Sequence, residues 1–179
     1  MVDFEQVRRQ SHSCIRDTLQ SFQGTSALAP ASEAITKAFE KFLLAGGSNA
    51  DAANGPKGAQ QVLYALDALR ECLPRLSIKC VTTILKYYKT LLELRQPVVT
   101  RRVTDSLNVV CSHPSLEVSA EPLLDLLCSL ALYASTNETS ADNMTFTARL
   151  LDVGMGKVYY LNRQICVVKL PVVFSTLKG

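Results

Sequence analysis

The chain has 179 residues, 47% of them hydrophobic and 20% charged, with a formal net charge of +3 and a sequence pI near 8.5. That size and balance suit one ordinary globular domain and exclude a disordered chain. The overall charge is too small to imply a nucleic-acid partner; only a local concentration of charge could do so.

The chain reads as helix throughout, its β-branched runs (Val98–Val99, Val167–Val168, Val172–Val173) being short and set within helical patterns. Asp3–Gln23 forms a first helix with Phe4, Val7, Cys14, Ile15, Leu19 and Phe22 as apolar positions. Ala31–Ala45 forms a second, with Ile35, Ala38, Phe39, Phe42 and Leu43 on one side and Gly46 as C-cap. The glycine-rich run Gly46–Gly58 is expected to be a flexible loop. Ala59–Leu73 follows, with Val62, Leu63, Leu66, Leu69 and Leu73 inside and Pro74 as the stop.

Ser77–Leu94 places Ile78, Val81, Leu85, Tyr88 and Leu92 on one face at steps of three and four residues, opposite Lys79, Thr83, Lys86 and Lys89. After a turn holding Pro97, Val99, Val103, Leu107 and Val110 repeat the pattern. Ser119 is the expected N-cap of Ala120–Ala134, with Pro122 in the first turn, where its missing N–H does no harm. Ser140 can cap Ala141–Leu161, and a last helix runs from about Asn162 to Leu177 with Pro171 inside it.

Taking the helices that start near Ala31, Ser77, Ala120 and Asn162 as first members of pairs, the starts lie 46, 43 and 42 residues apart. Two helices per forty-odd residues is the period of HEAT-type repeats, whose hairpins bury their apolar faces only by stacking. The expected fold class is therefore all-α, an α-solenoid of about eight helices forming one armadillo-like domain over residues 1–179. A closed helical bundle with even spacing is the alternative. The last helix, with Ile165, Val167, Val168, Leu170, Val172, Val173 and Phe174, would leave an open stacking face. The expectation is thus a fragment or truncated product of a longer solenoid.

No catalytic signature is present: no GxSxG, no HExxH and no GxxxxGK[ST]. Gly154-Met155-Gly156-Lys157 superficially resembles a phosphate loop, but it sits in a helical pattern with no strand before it, which favours a tight helix crossing or a bend. Cys111 and His113 lack an orienting acid and read as the end of a helix. The six cysteines form no Cys-x-x-Cys pair and only two histidines accompany them, so neither metal nor other cofactor is expected and the thiols read as small core hydrophobes. No apolar stretch reaches membrane-helix length and the N-terminus has no signal-peptide run, which places the protein inside the cell. The sequons at Asn137 and Asn143 then carry no meaning.

One concentration of charge stands out. Between Arg75 and Arg102 lie seven basic residues and a single acid, Glu93, a local excess of +6. Lys79, Lys86 and Lys89 fall on one stripe, and together with Arg101 and Arg102 they are the candidate RNA- or partner-binding residues, by counterion release from phosphates. A solvated helix face is the competing explanation.

The strings ILKYYKTLLELRQPVVTRRVTDSLNVVCSHPSLEVSAEPLLDLLCSLA and NETSADNMTFTARLLDVGMGKVYYLNRQICVVKLPVVF resemble the N-terminal HEAT region of the ribosomal-RNA-processing protein twelve-like family in its plant form, most strongly from Leu73 to Phe174. The resemblance implies a nuclear and nucleolar, non-enzymatic scaffold that helps pre-ribosomal particles mature and leave the nucleus. Its partners would be pre-ribosomal particles, assembly-factor proteins and RNA, with no small-molecule substrate and no membrane. It also implies that full-length members continue well beyond this C-terminus. A nuclear-transport adaptor holding a cargo or a Ran-type GTPase, and a regulatory scaffold subunit of an enzyme complex, are the other functions such a solenoid would suit.

Overall fold

The computed structural model describes residues 3–48, 55–137 and 140–178. The helices are α1 (Phe4–Ser21), α2 (Leu28–Ser48), α3 (Gly55–Cys72), α4 (Ile78–Glu93), α5 (Pro97–Ser112), α6 (Ala120–Asn137), α7 (Ala141–Leu161) and α8 (Arg163–Lys178), with a 3-10 turn at Leu73–Arg75. Among the described residues there is no strand.

Each helix packs mainly on its chain neighbour and on the helix two further along. The even-numbered helices α2, α4, α6 and α8 therefore form one layer and the odd-numbered α1, α3, α5 and α7 a second. In a closed bundle the first and last helices would meet; here the packing advances one hairpin at a time, so the fold is an all-α solenoid. The even-layer helices begin at Leu28, Ile78, Ala120 and Arg163, which are 50, 42 and 43 residues apart.

The core is a continuous apolar seam between the layers. Cys80, Val81, Ile84, Leu85, Tyr88, Leu91 and Leu92 of α4 are buried, a broad stripe because α4 has α2, α5 and α6 around it. Val99, Val103, Leu107 and Val110 of α5 are buried as their spacing predicts, and Leu123, Leu124, Leu126 and Leu127 of α6 are fully enclosed. Each such side chain contributes roughly 1.5–3 kcal/mol by leaving water. Polar links fix the stacking: the Ser77 N–H donates to the buried Ser32 hydroxyl (3.2 Å), and Gln23 Nε2 donates to the Arg75 carbonyl (2.8 Å).

Several boundaries depart from the sequence reading. Gly46 does not cap α2, which continues through Gly47 to Ser48, and α3 begins at Gly55 rather than Ala59. Both ends of the expected Gly46–Gly58 loop are thus helical, and its middle, residues 49–54, lies outside the described residues. Stacking of the α2–α3 hairpin overrides the penalty of about 1 kcal/mol per helical glycine. In α1 only Leu19 is fully buried, and Phe4, in its first turn, is 85% exposed. Ile78 is 44% exposed, at the start of α4 where no neighbouring helix covers it. Ser119 stands immediately before α6 as expected, its carbonyl accepting from the Leu123 N–H (3.4 Å) and its hydroxyl meeting Thr82 (3.1 Å), and Ser140 caps α7 by accepting from the Asn143 N–H (3.5 Å).

Cys72, Cys80, Cys111 and Cys166 are buried, Cys128 is half-buried and Cys14 is exposed. Burial pushes the Cys72 and Cys111 thiols up to about 11, far from the reactive thiolate. In the native chain a disulfide reagent such as DTNB should therefore modify Cys14 first and Cys128 more slowly. Cys72 and Cys111 should respond only in denaturant; rapid modification of either would show a looser α3–α5–α7 layer.

Candidate functional site

The structure does not gather the five candidate basic residues into one patch. Lys79, Lys86 and Lys89 belong to α4 in the even layer, whereas Arg101 and Arg102 open α5 in the odd layer. Lys79 Nζ donates to Glu33 Oε1 of α2 at 2.9 Å. That hydrogen bond, reinforced by charge attraction, holds the Glu33 carboxyl below and the Lys79 ammonium above their ordinary pKa values. Arg102 Nη1 donates to Asp67 Oδ1 of α3 at 2.9 Å, and since Asp67 is only 17% exposed this pair is a seam between helices.

Among the described residues Lys86 and Lys89 are in no ion pair, but they border a hollow of about 300 Å³ whose other wall is Glu121, Pro122 and Asp125 of α6. Lys169 of α8 reaches the same two acids from the far side, at 2.6 Å to Glu121 Oε1 and 3.4 Å to Asp125 Oδ1. The Lys169 hydrogen bond lowers the Glu121 pKa. Tyr87 of α4 donates its hydroxyl to Glu40 Oε1 of α2 at 2.5 Å, and that bond pushes the phenol up to about 12.

The outer face of the even layer is thus an alternating ladder: acids of α2, bases of α4, acids of α6, a base of α8. Exposed pairs of this kind are screened by solvent and contribute little, so they set register more than stability. The +6 excess along the sequence is not a +6 surface, because the neutralising carboxylates sit one repeat away on each side. Two other members of the cluster also have local duties. Arg75 binds Gln20 Oε1 (2.9 Å) and the Glu71 carbonyl (3.3 Å), and Arg95 adopts φ 52° in the α4–α5 turn.

Gly154-Met155-Gly156-Lys157 lies in the middle of α7, and Gly154 marks the tight crossing that its helical setting suggests. A Cβ there would fall 2.7 and 2.9 Å from the two terminal carbons of Leu127 and 3.1 Å from Cys111 Sγ; at Gly156 it would meet nothing within 4 Å. Lys157 has a role that the sequence concealed. Its Nζ donates to the carbonyls of Val110 (2.7 Å), His113 (3.1 Å) and Leu116 (2.9 Å), closing the C-terminal end of α5. Burial pulls this ammonium below the usual lysine pKa while the three carbonyls favour its charged form. No sequence signal marks backbone acceptors 41 to 47 residues away.

Among the described residues Arg101 stands in no ion pair, on the wall of a cleft between α5 and α7 that the sequence did not announce. Among the described residues no cluster of His, Cys, Asp and Glu could hold a metal ion, and no helix is long and apolar enough to cross a membrane.

A family model described as RRP12-like, N-terminal HEAT repeats, matches residues 3–118. No curated protein and no solved structure matches the chain. The match runs from the N-cap of α1 to the segment just before α6, further toward the N-terminus than the likeness read over Leu73–Phe174. With well over half of the chain covered and the stacked hairpins in place, the chain belongs to the RRP12-like family and represents its N-terminal HEAT-repeat region.

Proposed function

We propose that the chain is a non-enzymatic HEAT-repeat scaffold for ribosome biogenesis, acting in pre-rRNA processing and in maturation and export of pre-ribosomal subunits, in the nucleus and nucleolus. It holds assembly-factor proteins and RNA on a stiff two-layer stack. The family membership over residues 3–118 carries this reading. An architecture that commits its most unusual polar side chain, Lys157, to closing a helix end agrees with it. The test is sedimentation of the tagged chain from nuclear extract, followed by sequencing of the RNA recovered with it. Pre-ribosomal RNA in the pre-ribosomal fractions is the expected result. Nucleotide-dependent recovery of a Ran-type GTPase without pre-rRNA would assign the chain to transport instead, and a stoichiometric catalytic subunit would make it a regulatory scaffold.

For RNA contact the reading uses Lys86 and Lys89, which among the described residues are in no ion pair, with Lys79 and Arg102 held by Glu33 and Asp67 and Arg101 set apart beside Asp105. Lysines that displace counterions from single-stranded RNA give log K a slope of about −0.7 per phosphate against log salt. The double substitution Lys86→Glu, Lys89→Glu should flatten that slope by about 1.4 in anisotropy titrations with polyuridine. An unchanged slope would remove α4 from any RNA surface.

A further inference from the structure

The seam between α5 and α7 is tight at one end and open at the other. Toward the C-terminal halves of both helices, Gly154 brings α7 against Cys111 and Leu127, and Lys157 is tied to three carbonyls at the end of α5. Toward their N-terminal halves the same helices leave a cleft of about 650 Å³, floored by the last turns of α6.

Like the α4–α6 seam, this cleft has no cross-helix ion pair among the described residues, whereas the other seams between helices two apart each have one. A cross-helix ion pair closes α1 on α3 (Arg16–Glu71, 3.9 Å), α2 on α4 (Lys79–Glu33), α3 on α5 (Arg102–Asp67) and α6 on α8 (Lys169–Glu121). In the cleft, Arg101 and Asp105 stand one turn apart on α5, a spacing that favours pairing. Among the described residues neither of them, nor Asp142 on the facing wall, is in an ion pair. Thr100 lines the same wall, is 6% exposed, and its hydroxyl has no hydrogen-bond partner, a rare condition for a buried polar group. Val98 of α5 and Phe146 of α7 are 58% and 41% exposed on opposite sides of the opening.

We propose that this cleft is a docking groove for a protein segment that carries a bulky apolar side chain beside a lysine or arginine. Val98 and Phe146 would enclose the apolar anchor. Asp105 and Asp142 outnumber Arg101, so the groove favours a cationic segment over the phosphates of RNA. The volume lies within the roughly 300–1,000 Å³ of sites that hold a few side chains, too small for a folded domain. The groove belongs to the odd layer, apart from Lys86 and Lys89, so it stands or falls separately from the ribosome-assembly reading.

The experiment titrates the full chain against fluorescein-labelled synthetic peptides of equal length. One has a central phenylalanine flanked by lysines, one has alanine at the centre, and one has glutamates as flanks; polyuridine is the fourth probe. The lysine-flanked phenylalanine peptide should bind at least about tenfold more tightly than the other two peptides. Phe146→Ala and the isosteric Asp105→Asn, each checked for native circular dichroism, should each weaken it by about tenfold. Equal binding of the three peptides, no binding by any of them, or indifference to Asp105→Asn would overturn the proposal. So would polyuridine that displaces the peptide and depends on Arg101.

Discussion

Gly154→Val should destabilise the chain by about 3 kcal/mol, while Gly156→Ala, two residues further along the same helix, should stabilise it by up to about 1 kcal/mol. Both glycines lower helix propensity equally, so their opposite responses isolate what lies above each. At Gly156 no atom stands within 4 Å of an added Cβ, and alanine only restricts the unfolded chain and improves propensity. At Gly154 the Cβ would overlap both terminal carbons of Leu127, at 2.7 and 2.9 Å, and press on Cys111 Sγ at 3.1 Å. Leucine ends can swing aside on a surface, but Leu127 is fully enclosed and Cys111 buried, so relief requires α7 to move off α5 and α6. Alanine at this site sets about 1 kcal/mol of propensity against an overpacking cost of about 1–3 kcal/mol, and valine adds bulk while forfeiting most of the propensity gain.

A double-substitution cycle makes the argument sharp. Leu127→Ala alone should cost about 2–5 kcal/mol by leaving a cavity where the new Cβ would go. Combined with Gly154→Val the two should cost less than their sum by at least about 1 kcal/mol. Urea unfolding of the four proteins gives that number directly. Strict additivity would mean the close approach at Gly154 is not what holds α7 down.

The stack was legible in the sequence for a reason the crossing at Gly154 also illustrates. A hairpin that is covered only by its neighbours must repeat the same apolar face in each unit, so the spacing of Val99, Val103, Leu107 and Val110 predicts both a helix and the side it buries. Local punctuation served where it had a backbone partner. Ser140 marks the start of α7 because its hydroxyl accepts the Asn143 N–H, and Pro74 ends α3 by forcing a 3-10 turn. It misled where glycine was read as loop: Gly46 and Gly47 lie inside α2 and Gly55 opens α3. A propensity penalty of about 1 kcal/mol per glycine is small beside the packing of a long helix.

The candidate site was less legible, since a charge count along the sequence measures the wrong neighbourhood. In a two-layer stack the side chain facing Lys79 is 46 residues back, at Glu33, and the one facing Glu121 is 48 residues on, at Lys169. The basic run from Arg75 to Arg102 therefore looks isolated in sequence and is flanked by acids in space. The balance of any one helix is legible only when the helices one repeat before and after it are read alongside. The cleft between α5 and α7 escaped for a related reason: Val98, Thr100 and Phe146 come from different repeats, and nothing in their local pattern says that the helices bearing them diverge.

Lys157→Met should cost about 2–4 kcal/mol, a loss no other lysine of the chain is expected to match. The methionine keeps the apolar stem, so the change removes the ammonium and little else. That ammonium has three N–H groups and all three are engaged, by Val110, His113 and Leu116. Hydrogen bonds to a charged group contribute about 1.5–3 kcal/mol each, but three that converge on one atom share a single geometry and do not add. Without them, the Val110 and Leu116 carbonyls lose the ammonium, and the His113 carbonyl is left with the Leu116 N–H alone (3.3 Å). Lys169→Met is the control: it breaks pairs with Glu121 and Asp125 that are well exposed and solvent-screened, and should cost far less than Lys157→Met. Salt separates the two further. At about 1 M the effect of Lys169→Met should shrink, because exposed charge pairs are screened over about 3 Å, while that of Lys157→Met should persist. Lys157→Arg should fail to rescue, since a planar guanidinium cannot turn three N–H groups onto carbonyls that converge on one point. Amide exchange at Leu116 and Val118 should accelerate in the same variants, since the segment leading into α6 is held to α7 through this ammonium. A cost below about 1 kcal/mol for Lys157→Met would show that water closes the end of α5 as well as the lysine does.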